Sequence, residues 1–153
     1  MKRASLLSSF IVAVALVAPS FLQAQAKPRT VEIEGTDQMK YSVASIEAKP
    51  GEQIRVVLKV VGKMPKMAMS HNFVLLAAGA DAMSFTNKSV MAAATGYIAP
   101  ELKGQVLAST PLAGAGETVE VTFKAPAKAG SYTFLCSFPG HFAAGMKGTL
   151  VVK

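Results

Sequence analysis

Glu117-Thr118-Val119-Glu120-Val121-Thr122-Phe123 alternates polar and apolar side chains without a break. In an extended chain successive side chains point to opposite faces. Val119, Val121 and Phe123 therefore share one face, and Thr118, Glu120 and Thr122 share the other. A helix would scatter the same residues around its axis, so the stretch predicts a strand with one buried face.

The same period extends outward from this stretch. Gln53 to Val61 carries Ile54, Val56, Leu58 and Val60 at every second position, and Tyr132, Phe134 and Cys136 share a face after Gly130. Val31 to Glu34, Asn72 to Leu76, Gln105 to Ser109 and Lys147 to Val152 are further strand candidates. Turn-forming residues separate the runs at Lys49-Pro50-Gly51, Leu112 to Gly116 and Ala125 to Gly130. Short strands at this spacing predict an all-β sandwich. One region departs from it: Asp81 to Ile98, with Met83, Phe85, Val90 and Met91, has no alternation and predicts a short helical insertion.

The first 26 residues do not fit the domain. Met1-Lys2-Arg3, an apolar run from Leu6 to about Val17, and Ala24-Gln25-Ala26 have the three parts of a secretory signal peptide. The apolar run is short of the roughly 20 residues a membrane span needs. The expected organisation is a leader over 1–26 and one domain over 27–153, with no membrane insertion once the leader is cleaved.

The formal charge of +7 is spread over single lysines rather than a basic stripe. That argues against nucleic-acid binding and leaves a surface suited to acidic partners. Secreted proteins usually spend cysteines in pairs, yet this chain has one, Cys136. A lone thiol in an oxidising compartment is vulnerable unless buried or bonded to something.

Cys136-Ser-Phe-Pro-Gly-His141-Phe-Ala-Ala-Gly-Met146 answers that need. Cys, His and Met follow in order, with four residues between neighbours, and His71 lies some 60 residues earlier; these are both histidines and the only cysteine. Taken singly, Cys136 reads as a small buried hydrophobe, Met146 as filler and each histidine as a strand-end polar residue. Together they match the two imidazoles, thiolate and weak axial thioether that suit copper in both oxidation states. Zinc sites seldom use Met. Pro139 and Gly140 allow the sharp turn between the ligands.

The end of the chain from Cys136 to Lys153, the segment Met69-Ser70-His71-Asn72-Phe73-Val74-Leu75 and Asp37-Gln38-Met39 resemble the azurins, within the cupredoxins. The resemblance implies a Greek-key sandwich of about eight strands and one type 1 copper. It implies a soluble, monomeric one-electron carrier in the periplasm, not an enzyme, with partners such as c-type cytochromes, a reductase or an oxidase. Asn72 would tie the two ligand segments together, and the backbone N–H groups of Asn72 and Phe138 would donate to the Cys136 sulfur. The ring edge of His141 would meet the surface through an apolar patch, for which Met64, Met67, Ala68, Phe138, Pro139, Phe142 and Ala143 are candidates.

Three departures from azurin stand out. The spacing from His141 to Met146 is one residue longer and resembles the auracyanins and plastocyanin. Ser70 stands where azurin has a Gly whose carbonyl lies near the copper. The azurin disulfide is impossible with a single cysteine. A rival reading is a copper chaperone or buffer, supported by Met64, Met67 and Met69 ahead of His71, because thioethers hold copper(I). A multicopper enzyme would need further histidines, and none remain.

Overall fold

The computed structural model describes residues 27–153, so the expected leader lies outside the described residues. The alternating run that opened the sequence forms a strand, β7 (Thr118–Lys124), paired antiparallel with β4 (Gln53–Val61), the other strongly alternating run. β1 (Arg29–Thr36) lies parallel to β4 on its far side, and β2 (Lys40–Tyr41) closes the edge, giving the order β2-β1-β4-β7. The second sheet has the order β3-β9-β8-β5-β6, from β3 (Ser45–Ala48), β9 (Lys147–Val152), β8 (Gly130–Leu135), β5 (Val74–Leu76) and β6 (Val106–Ser109).

The described residues thus hold nine strands rather than about eight. β2 and β3 span two and four residues, too few for alternation to show in the sequence. The strand expected over Asn72 to Leu76 begins only at Val74, because Asn72 and Phe73 make their backbone hydrogen bonds elsewhere. That irregularity positions the site.

The two sheets enclose Ile33, Ile54, Leu58, Phe73, Leu75, Phe134 and Leu150, each fully buried. Burying one such side chain is worth about 1.5–3 kcal/mol. A second cluster lies on the outer face of β5: Val74, Leu76, Phe85, Ala99, Leu102, Leu135 and Phe142. Here α1 (Ala82–Ser89), capped by the Asp81 carboxylate on the Met83 and Ser84 amides, and two short 3-10 turns (Ala93–Thr95, Pro100–Gln105) cover the sheet. Both faces of β5 are therefore covered, so Val74-Leu75-Leu76 is continuously apolar. α1 and the first 3-10 turn lie within the expected Asp81 to Ile98 region, and the second 3-10 turn lies wholly beyond it. No helix among the described residues is long and apolar enough to cross a membrane.

Candidate metal centre

β1 ends in Gly35-Thr36, beside the start of the His71 segment and the end of the β8–β9 loop. A Cβ at Gly35 would lie 3.2 Å from both His71 Cδ2 and Met146 Cε. Glycine there lets the His71 ring and the Met146 side chain approach the same spot on the strand.

The β8–β9 loop supplies three candidate donors and is organised largely by itself. His141 N–H donates to the Phe138 carbonyl (3.1 Å), Ala144 N–H to Gly140 (3.0 Å) and Met146 N–H to His141 (2.9 Å). Gly140 and Gly145 take φ of 84° and 95°, a region in which a side chain would be strained. The Cys136 N–H donates to the Met146 carbonyl at 3.1 Å, closing the loop on itself.

His71 arrives on the segment that leads into β5, the neighbour of β8 in the second sheet. A two-way backbone bridge to Ala113 holds it, with His71 N–H donating at 2.9 Å and Ala113 N–H returning at 2.8 Å. The buried Asn72 side chain joins the two segments. Its Oδ1 accepts from Ser137 N–H (2.9 Å), and its Nδ2 donates to Ser137 Oγ (2.9 Å) and to the Gly96 carbonyl (3.1 Å).

The result is a buried trio, His71, Cys136 and His141, whose donor atoms lie within 4.8 Å of one another. Cys136 Sγ is 3.4 Å from His141 Nδ1, and the two imidazole rings are 4.9 Å apart between centroids. The Ser70 carbonyl stands 3.9 Å from the same sulfur. Met146 is fully buried.

Burial sets the protonation states. It holds His141 down at about 4, helped by the neighbouring His71, so its ring is neutral near pH 7. Burial also lowers His71, with the nearby Asp37 carboxylate partly opposing it. The Cys136 thiol is pushed up to about 12 by burial, against the pull of backbone N–H groups of Asn72 and Phe138. Both ring nitrogens of His71 are buried without a hydrogen-bond partner. Buried polar atoms are normally paired. An orphaned imidazole beside a thiol and a second neutral imidazole fits a soft transition-metal ion, and this donor set suits one type 1 copper.

The residues expected to form a surface patch differ in exposure. Met67 is 94 % exposed and Met64 44 %, and Ala68 and Ala143 are exposed. Phe138 and Pro139 are half-buried, with the Phe138 ring 4.8 Å from that of His141. Two expectations need correction. Phe142 is 9 % exposed and belongs to the second core, beneath the patch, with Lys147 over its ring. The opening at His141 is narrow, for its ring keeps only 2 % exposure.

Gly35, Gly96, Ser137 and Ala113 were not singled out from the sequence. A glycine interrupting the β1 pattern was the only signal, since glycine inside a strand marks a close approach. The other three act through backbone or short hydroxyl contacts that no residue spacing reveals.

Residues 29–153 match the family model of copper-binding proteins of the plastocyanin/azurin family. Azurin from Bordetella pertussis is 39 % identical over 140 residues, covering 90 % of this chain and 92 % of its own. Among solved structures, an azurin (Az-iso2) from Methylomonas sp. strain J is 34 % identical with a TM-score of 0.71, covering 82 % of this chain and 98 % of its own. Auracyanin A, a "blue" copper protein from Chloroflexus aurantiacus, is 34 % identical with a TM-score of 0.70, covering 83 % of this chain and all of its own.

Proposed function

The chain belongs to the plastocyanin/azurin family of copper-binding proteins, and from that premise we propose that it carries single electrons between redox partners in the periplasm, after removal of residues 1–26. The observation that carries the reading is the buried His71–Cys136–His141 trio, already assembled by the protein.

A copper ion bound by this set would supply one-electron chemistry between its Cu(II) and Cu(I) states. His71, Cys136 and His141 would hold it through two imidazoles and a thiolate, with the buried Met146 thioether as the weaker fourth donor. Both imidazoles are neutral near pH 7 and ready to donate a lone pair, while the Cys136 thiol must give up its proton as the metal enters. Asn72 and Phe138 then direct N–H groups at the thiolate and moderate its charge. Because separate hydrogen-bond systems hold the donors, they need move little between oxidation states. Phe138 packs its ring against that of His141 and keeps water from it. Short-lived redox encounters use small interfaces, and Met64 and Met67 offer an adaptable apolar one. The excess of lysines favours partners with acidic faces.

The exposure of Met64 and Met67 favours one second reading, a copper chaperone or buffer. Visible and EPR spectra of the copper(II)-loaded domain separate the two. Intense blue absorption with a narrow copper hyperfine splitting, both lost on adding ascorbate, is expected of the carrier. A colourless protein that binds copper(I) tightly would overturn that reading in favour of the chaperone.

A further inference from the structure

Tyr41 sits at the edge of the first sheet, yet its hydroxyl is enclosed and donates to the Asn72 carbonyl in the His71 segment. Its ring packs against Phe134 at 5.8 Å between centroids. The peptide unit that Tyr41 holds by its carbonyl is held by its amide as well. Phe73 N–H donates to Thr110 Oγ1 at 3.0 Å, and Thr110 N–H returns to the Phe73 carbonyl at 2.9 Å. The preceding peptide unit, which carries the Asn72 N–H, is fixed through its own carbonyl by Ala113 N–H at 2.8 Å.

Two consecutive peptide planes are thus turned away from the regular ladder of β5, and each is pinned. In a regular strand these groups would point to neighbouring strands. Here the Asn72 N–H has no ladder partner, and with the Phe138 N–H it pulls the Cys136 thiol down against the effect of burial. Three of the pinning contacts come from the second sheet's own side of the sandwich. The fourth, from Tyr41, crosses from the first sheet.

We infer that Tyr41 is a positioning residue for the copper site: its hydroxyl, opposite Thr110, clamps the Asn72–Phe73 peptide and so holds the Asn72 N–H on the Cys136 sulfur. An N–H donated to a thiolate withdraws negative charge from it and favours the reduced metal. Loosening the clamp weakens that donation and lowers the reduction potential. The potential rests on the copper reading above, whereas the clamp itself exists without metal.

Tyr41→Phe tests it, because it removes the hydroxyl and keeps the ring against Phe134. In the copper protein the reduction potential is expected to fall, with a change in the copper hyperfine splitting. In the metal-free protein amide exchange at Asn72 is expected to rise about tenfold relative to Val56 in β4, the loss of roughly one hydrogen bond. Thr110→Val, which loosens the other side of the same peptide, is expected to move both readouts in the same direction. A Tyr41→Phe protein with a lower melting temperature but an unchanged potential would overturn the inference, since the hydroxyl would then serve packing alone. If the wild-type protein shows no type 1 spectrum, the carrier reading fails. The exchange measurement still decides the clamp: faster exchange at Asn72 supports it, and unchanged exchange overturns it.

Discussion

The two halves of the site are held by opposite means. The loop from Cys136 to Met146 closes on itself through bonds between near neighbours, such as Met146 to His141 at 2.9 Å and His141 to Phe138 at 3.1 Å. In the His71 segment such local bonds stop at Met69 and Ser70, which bond back to Pro65 and Lys66. The segment is pinned by Ala113, Thr110, Gly96 and Tyr41, residues 24 to 42 positions away in the chain. A loop built on local bonds can be pre-shaped early, but a segment built on distant ones exists only when the sandwich is complete. The site therefore reports on folding as a whole, and the Asn72–Ser137 contact is where the halves meet.

This contrast can be broken by experiment. The largest effect is expected from Cys136→Ser in the local half: the domain folds, but the intense visible band disappears entirely, because thiolate-to-copper charge transfer is gone. A blue Cys136→Ser protein would mean that the loop does not carry the strong sulfur ligand. Asn72→Ala attacks the junction. It leaves the buried Ser137 N–H without an acceptor, while the half-buried Gly96 carbonyl keeps the Ser137 hydroxyl, at about 1–3 kcal/mol in chemical denaturation of the metal-free protein. A loss no greater than that of an exposed substitution would show the halves to be independent.

Gly35→Ala probes the remote half through packing. The new Cβ presses on the His71 ring and the Met146 methyl at 3.2 Å, and about 1–2 kcal/mol of destabilisation is expected. The EPR spectrum should change with it, since His71 is pinned and has little room to retreat. An unaltered spectrum would mean that Met146 alone yields.

Acid separates the metal-free protein from its unfolded chain. His141 is held down at about 4 when folded and returns to about 6.5 when unfolded. The unfolded state binds more protons between those values, so this contribution is complete above about 6.5 and lost as pH falls through about 4. The melting temperature of the metal-free protein should decline over that window, and a flat profile would mean the ring is not enclosed as described. The smallest effect is expected from Met146→Leu, a swap of similar volume costing under about 1.5 kcal/mol. The protein should stay blue with a raised potential, and an unchanged potential would remove Met146 from the axial position.

The alternation at Glu117 to Phe123 and Gln53 to Val61 made the sandwich legible, because burying one face of a sheet forces a period of two on the residues. The composition of the Cys136–Met146 loop made the ligand types legible, since softness belongs to the side chain and needs no neighbour. Phe142 shows where such reading stops. An apolar residue beside His141 suits a surface patch or a core equally well, and it entered the core only because α1 folded over β5. The same holds for Tyr41, Thr110, Ala113 and Gly35, ordinary residues in the sequence that gather around His71. Their roles are contacts between chain segments far apart in number, and such contacts come into being only when the two sheets close on each other.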